Sequence, residues 1–187
     1  MTADPNEQPD ARPRARPTHP VAIVVSRYNE SITGAMLRGA IDAYAQRGGD
    51  PATLSIVEAP GAYELVALAN AAVERHKAVV CLGCVIKGET PHDGHIARAI
   101  AVRLADITTR TGVPVAFGVL TTIDAEQAHA RADGAKGNKG AEAMHAALDA
   151  ADAVGALRHG PMPVRHTIEL TLPDKAAGDA ALRGATN

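Results

Sequence analysis

Apolar and polar positions along the central part of the chain follow two different periods. Residues 21–25 and 78–86 are nearly continuous apolar runs, which are typical of strands covered on both faces. Shorter β-like segments predict two more strands at residues 53–58 and 113–120. The pattern therefore predicts four strands.

Between these strands, apolar residues recur every three or four positions, which is the helical spacing. Stripes of this kind begin at Ile32, Leu65 and Ile96, and two further helical segments lie near residues 125–132 and 140–154. Repeated strand-then-helix units predict one parallel sheet with helices on both faces. The predicted fold is α/β, a flavodoxin-like three-layer α/β/α sandwich around a four-stranded parallel sheet.

The two ends of the chain differ from this central part. The first twenty residues contain five prolines and no apolar run, so residues 1–19 are predicted to be a flexible Pro/Arg-rich arm. Residues 20–158 form the predicted domain, and residues 159–187 a C-terminal extension with one β-like run. No segment resembles the apolar core of a signal peptide or has the length of a membrane span, which favours a cytoplasmic location.

The composition adds an expectation about assembly. Hydrophobic residues make up 46% of the chain but aromatic residues only 2%, so the core is built mainly from small aliphatic side chains. Such a core buries little area per residue, and we expect contacts between subunits to complete the burial. The formal net charge of −2 argues against a general nucleic-acid binder or a binder of anionic membranes.

Ligands of open parallel sheets bind outside the carboxyl ends of the strands. Two of the four aromatic residues, Tyr28 and Tyr63, follow the first two strands, while Phe117 lies within the fourth; in a chain so poor in aromatic residues, this clustering indicates a site for a flat ligand. His92 follows the third strand, and histidine suits proton transfer near neutral pH. Taken alone, His92 could equally be a solvent-exposed loop residue.

Several familiar motifs are incomplete. No G-x-G-x-x-G follows the first strand, and a P-loop-like segment carries Glu89 where that motif requires Lys, which excludes an ATP site.

Cys81 and Cys84 form a C-x-x-C, but on a strand they point to opposite faces, so we interpret them as reduced structural thiols. His92 and His95 could form a metal pair, but no further ligands accompany them, and no metal is expected.

A basic segment precedes the last predicted helix. Arg131 and Lys139 flank it, and backbone N–H groups at the helix start could join these cations in holding a phosphate. A solvated basic loop is the alternative interpretation.

Ordered motifs across roughly residues 20–155 resemble the lumazine synthase family. They are RYN at 27–29, PGAYE at 60–64, GCVIKGETPH at 83–92, FGVLTT at 117–122, EQA at 126–128 with Arg131, and GNKG at 137–140. The resemblance implies an enzyme of riboflavin biosynthesis, 6,7-dimethyl-8-ribityllumazine synthase. It condenses 5-amino-6-ribitylaminouracil with 3,4-dihydroxy-2-butanone 4-phosphate, and releases phosphate and water without metal or organic cofactor.

The resemblance also implies roles for individual residues. Tyr28 matches the aromatic residue that stacks on the pyrimidine ring, and His92 the proton-transfer residue. Glu89 and Thr90 match the segment that binds the butanone phosphate, with Arg131 as phosphate ligand. The other pyrimidine contacts match two segments, Ala62, Tyr63 and Glu64 and then Cys84, Val85 and Ile86. Residues 93–95 differ from the family, which has aromatic residues flanking an acid there.

The resemblance finally implies a homo-oligomer, because Phe117 and Arg131 match residues that the adjacent subunit supplies. Pentamers and sixty-subunit icosahedral shells both occur in the family, and the sequence leaves both open. Riboflavin synthase is a further candidate partner. The main alternative function is a non-catalytic flavodoxin-like module that binds a flavin or a phosphosugar. A paralogue that serves mainly as a shell or flavin-binding protein is a second one.

Overall fold

The computed structural model of the protein describes residues 20–160. The predicted N-terminal arm and all but two residues of the predicted C-terminal extension lie outside this part. The described elements, in chain order, are β1 (Val21–Ser26), α1 (Glu30–Gln46), β2 (Ser55–Ala59), α2 (Leu65–Ala72), β3 (Ala78–Ile86), α3 (His92–Thr111), β4 (Val115–Thr122), α4 (Ala125–Ala132) and α5 (Lys139–His159).

The four strands form one parallel sheet in the order β2-β1-β3-β4. Side chains of β1 and β3 alternate between two buried clusters, one shared with α1, α4 and α5 and the other with α2 and α3. Cys84 belongs to the first cluster and Cys81 to the second, as predicted from their spacing. The predicted three-layer α/β fold is confirmed.

Two strands are displaced from their predicted positions. Residues 51–53 form a 3-10 turn because the Asp50 carboxylate accepts a hydrogen bond from the Ala52 N–H at 2.9 Å, so β2 begins two residues late. β4 begins after Pro114, which has no N–H for a ladder, and extends to Thr122 opposite Ile86. α5 also runs five residues beyond its predicted end.

A close crossing of α1 and α5 fixes the start of α5. Gly140 is buried against α1, where a Cβ would overlap the carbonyl oxygen of Met36 and lie 2.6 Å from its carbon. The neighbouring Asn138 caps α5 and donates from Nδ2 to the carbonyls of Ala35 and Ala132. The residues before and after this cap are therefore held rigidly beside α1 and α4.

Among the helices of residues 20–160, none is long and apolar enough to cross a membrane.

Candidate active site

A cavity of about 590 Å³ lies at the carboxyl end of the sheet, between the segments that follow β1, β2 and β3. This is the position that the sheet topology predicts for a ligand. Nine of the twelve predicted site residues line it: Tyr28, Ala62, Tyr63, Glu64, Cys84, Val85, Ile86, Thr90 and His92. Glu89 is exposed and is not part of its lining.

The turn from β1 to α1 carries the first aromatic wall. The Arg27 N–H donates to the Ala59 carbonyl at 2.9 Å, and the Tyr28 N–H donates to the buried Ser26 Oγ at 3.2 Å. The Tyr28 side chain is itself 71% exposed, so the face of its ring is accessible to a ligand. The backbone of this turn is fixed while the ring remains uncovered.

The start of α2 forms the second wall. Gly83 lets α2 approach β3, since a Cβ there would lie 3.1 Å from Leu65 Cδ1 and 3.4 Å from Ala62 Cβ. The Glu64 carboxylate folds over Gly61, where a Cβ would lie 2.9 Å from Oε2. Gly61 therefore leaves room for the Glu64 carboxylate, and Gly83 lets the start of α2 lie against β3.

The end of β3 forms the floor of the cavity. Burial raises the pKa of the Cys84 thiol to about 11 and that of Cys81 to about 12. Both are free thiols, and near neutral pH they are protonated. Neither is a nucleophile at that pH, because the thiolate is the reactive form.

The first turn of α3 supplies the proton-transfer candidate. His92 is the first residue of α3 and is exposed at the cavity wall. Lys87 and Asp93 line the same cavity, although the sequence analysis did not select them as site residues. The cavity therefore combines a histidine, a cation and two carboxylates with a largely apolar floor.

Asn29 is another lining residue that sequence reasoning missed as an individual. Its backbone is left-handed, with φ 59° and ψ 47°, and its Nδ2 donates to the Cys84 carbonyl at 3.0 Å. The signal available in the sequence was an Asn directly before a predicted helix, because Asn tolerates this conformation better than other non-glycine residues.

Phe117 and Arg131 lie elsewhere in the chain. They line a second cavity of about 470 Å³ beside the edge strand β4, together with Lys139 and Glu142. Arg131 Nη1 donates to the Gln127 carbonyl at 3.0 Å, and Lys139 Nζ lies 2.7 Å from Glu142 Oε2. One chain therefore brings nine predicted residues together in the first cavity and places two more in another.

At the start of α5, where the sequence left open a phosphate site or a solvated basic loop, two of the backbone N–H groups already have a hydrogen-bond partner. The N–H groups of Gly140 and Ala141 donate to Asn138 Oδ1 at 2.9 and 3.0 Å. Because the cap already uses these donors, an anion at this place would depend on the side chains of Arg131 and Lys139 instead.

In the part of the chain that the structure describes, no group of three or more His, Cys, Asp or Glu side chains is arranged to hold a metal ion.

Comparison with known proteins identifies the family. The family model described as 6,7-dimethyl-8-ribityllumazine synthase matches residues 18–154. The chain belongs to the lumazine synthase family. This confirms the resemblance inferred from the motifs, and the matched residues include both cavities.

Curated relatives agree with this membership. The 6,7-dimethyl-8-ribityllumazine synthase of Thermus thermophilus is 46% identical over 131 residues, which cover 69% of this chain and 83% of the relative. That of Campylobacter hominis is 42% identical, covering 69% and 84%. The 6,7-dimethyl-8-ribityllumazine synthase 1 of Caulobacter vibrioides is 43% identical over 144 residues, covering 76% and 94%. A lumazine synthase of riboflavin biosynthesis is the function that these findings support, and a non-catalytic module is not favoured.

Proposed function

We propose that this chain condenses 5-amino-6-ribitylaminouracil with 3,4-dihydroxy-2-butanone 4-phosphate to form 6,7-dimethyl-8-ribityllumazine, phosphate and water. The observation that carries the proposal is the cavity at the carboxyl end of the sheet, which nine residues matching the family's site line together. Membership of the lumazine synthase family supports it independently.

The cavity offers a separate group for each part of the pyrimidine substrate. The exposed ring of Tyr28 stacks on the pyrimidine, backbone groups of Cys84, Val85 and Ile86 bind its edge, and the Glu64 carboxylate accepts hydrogen bonds from ribityl hydroxyls. Thr90 lies at the wall of the same cavity, where the second substrate enters. Each assignment follows a side chain or backbone segment that faces the cavity.

The reaction consists mainly of proton transfers. Imine formation, phosphate elimination and ring closure each need a proton added or removed, and His92 is the lining residue suited to this near neutral pH. Holding two reactants together in the correct orientation supplies up to about 7–11 kcal/mol in favourable cases. A site with one proton-transfer residue and good positioning is therefore sufficient for this chemistry.

A complete site requires two chains in this proposal. Phe117 and Arg131 line the cavity beside β4 rather than the one containing His92, and Phe117 is 44% exposed. The apolar residues Val102 on α3 and Ile123 after β4 are 60% and 63% exposed, which favours contacts with other subunits at α3 and at the end of β4. We assign Phe117 and Arg131 to the site of an adjacent subunit in a homo-oligomer, a pentamer or an icosahedral shell.

Two further assignments complete the proposal. The buried free thiols are compatible with a reducing compartment, so we place the enzyme in the cytoplasm. Riboflavin synthase uses the product as its substrate, and we propose it as a partner for that reason.

The test is formation of the fluorescent lumazine from both substrates, measured against the spontaneous reaction. The wild-type chain should form product well above that rate, and His92→Ala should slow it by about tenfold or more with the fold retained. His129→Ala is the matched control, because His129 is exposed on α4 and lines neither cavity. If product forms no faster than in the spontaneous reaction, the proposed enzyme activity is refuted. Tight flavin binding without turnover would instead indicate a non-catalytic binding module.

A further inference from the structure

The β1–α1 turn contains one backbone conformation that its surroundings must enforce. Asn29, with φ 59°, is the only residue other than glycine with a positive φ within residues 20–160. This left-handed conformation is costly for most residues and least so for Asn and Gly. Its carbonyl accepts hydrogen bonds from the N–H groups of Ile32 and Thr33 at 2.9 and 3.0 Å, which start α1.

The side chain of Asn29 does not cap this helix. Instead its Nδ2 donates to the backbone carbonyl of Cys84, 55 positions further along the chain, at 3.0 Å. Cys84 lies within β3, next to β1 in the sheet. The Asn29 side chain therefore does not have the capping role that is usual before a helix; it connects the β1–α1 turn to the floor of the 590 Å³ cavity.

This connection controls a distance that matters for a flat ligand. Tyr28, directly before Asn29, forms one wall of the cavity, and the end of β3 from Cys84 onward forms its floor. Because the Tyr28 side chain is 71% exposed, packing within the chain does not hold its ring in place. The ring's position relative to β3 depends on the backbone of the turn, and the Asn29 side chain is the bond that links this turn to β3.

We propose that Asn29 is a positioning residue of the pyrimidine site, which fixes the Tyr28 ring relative to the Cys84–Ile86 backbone. The inference rests on the proposed function of that cavity. Asn29 acts through these two groups. Its loss should therefore weaken recognition of the pyrimidine selectively, while the butanone phosphate, which we assign to Thr90 and Arg131 rather than to this turn, binds as before.

Two substitutions separate the side chain from the backbone conformation. Asn29→Gly keeps the left-handed turn, for which glycine has no steric cost, and removes the amide. Asn29→Asp is nearly isosteric but has no N–H to donate, and its carboxylate repels the Cys84 carbonyl. Asn70→Asp is the matched control, since Asn70 is exposed on α2, accepts a hydrogen bond from Arg110 and does not line the cavity.

The measurements are the KM of each substrate and fluorescence titration of the product lumazine. Asn29→Gly should raise the pyrimidine KM and the product Kd about fivefold, the effect of one lost hydrogen bond, and Asn29→Asp more. The KM of the butanone phosphate should stay within about twofold in both variants and in Asn70→Asp. Thermal unfolding verifies that each variant is folded.

Tyr28→Ala in the same assays distinguishes the function of the cavity from the positioning role of Asn29. If Tyr28→Ala leaves the pyrimidine KM and the product Kd unchanged, the assignment of the cavity itself fails. If Tyr28→Ala weakens both and Asn29→Gly weakens neither, only the positioning role is overturned. A merely structural Asn29 would lower the unfolding temperature, or raise both KM values equally, without the selective effect.

Discussion

Gly140 is the position where a single added methyl group should test the packing that supports the site. It lies at the start of α5, where that helix crosses α1. In Gly140→Ala the new Cβ would overlap the Met36 carbonyl oxygen and lie 2.6 Å from the carbonyl carbon. Backbone atoms cannot rotate away as a flexible side chain can, so the two helices must separate.

The size of the effect follows from the surroundings. Met36 and Met144 are fully buried in the seam between α1 and α5, so separation of the helices loosens a packed core. Overpacking of this kind costs about 1–3 kcal/mol, and contact with rigid backbone places Gly140→Ala near the upper value. Gly155→Ala is the matched control in the same helix, because nothing lies within 4 Å of its Cβ position. That variant should gain about 0.5–1 kcal/mol from the helix preference of Ala over Gly.

Urea unfolding followed by circular dichroism, at one fixed protein concentration, measures both variants. The two alanine variants have the same composition and the same gain in helix preference, so their difference of about 3 kcal/mol isolates the contact with α1. Equal stability of the two variants would refute the close crossing of α1 and α5.

Three further predictions concern the site. Gly61→Ala should displace the Glu64 carboxylate and raise the pyrimidine KM severalfold, with little change in stability. Gly94→Ala, where nothing lies within 4 Å of the added Cβ, should leave this KM unchanged. An unchanged KM in Gly61→Ala would contradict the role of Glu64. Burial raises the pKa values of Cys81 and Cys84 to about 12 and about 11, so both thiols should resist a thiol reagent at pH 8 until the protein unfolds. Rapid labelling of the folded protein would contradict the burial of these thiols. Arg131→Ala should raise the KM of the butanone phosphate more than that of the pyrimidine; equal increases would argue against a phosphate ligand.

The main elements of the fold were predictable because continuous apolar runs and helical stripes are local properties of the sequence. The predicted bounds of β3 were the observed ones, since each of its residues up to Val85 is buried. The displacement of β2 came from the Asp50 cap, and that of β4 from Pro114 and from pairing of Thr122 with Ile86. Strand ends depend on partners distant in sequence, which a local pattern does not contain.

The candidate site was predictable mainly through motif resemblance. Composition and topology alone selected Tyr28, Tyr63 and His92, but not Lys87, Asp93 or the link from Asn29 to Cys84. These residues are defined by contacts between segments that only the folded sheet brings together. At the start of α5, two of the backbone N–H groups that could hold a phosphate are used by the helix cap instead. A polar residue directly before a helix commonly caps it, and Asn138 does so here.

The most direct test of the central claim, a condensing site shared between chains, is complementation between two variants that are each impaired in a different residue of the site. His92→Ala and Arg131→Ala chains, co-expressed with different tags and purified as mixed oligomers, are assayed for lumazine formation. If adjacent subunits supply the two residues, random assembly restores both in about a quarter of the sites, and activity should rise to about that fraction of wild type. Activity that stays at the level of the single variants would contradict a shared site, and with it the proposed placement of Arg131.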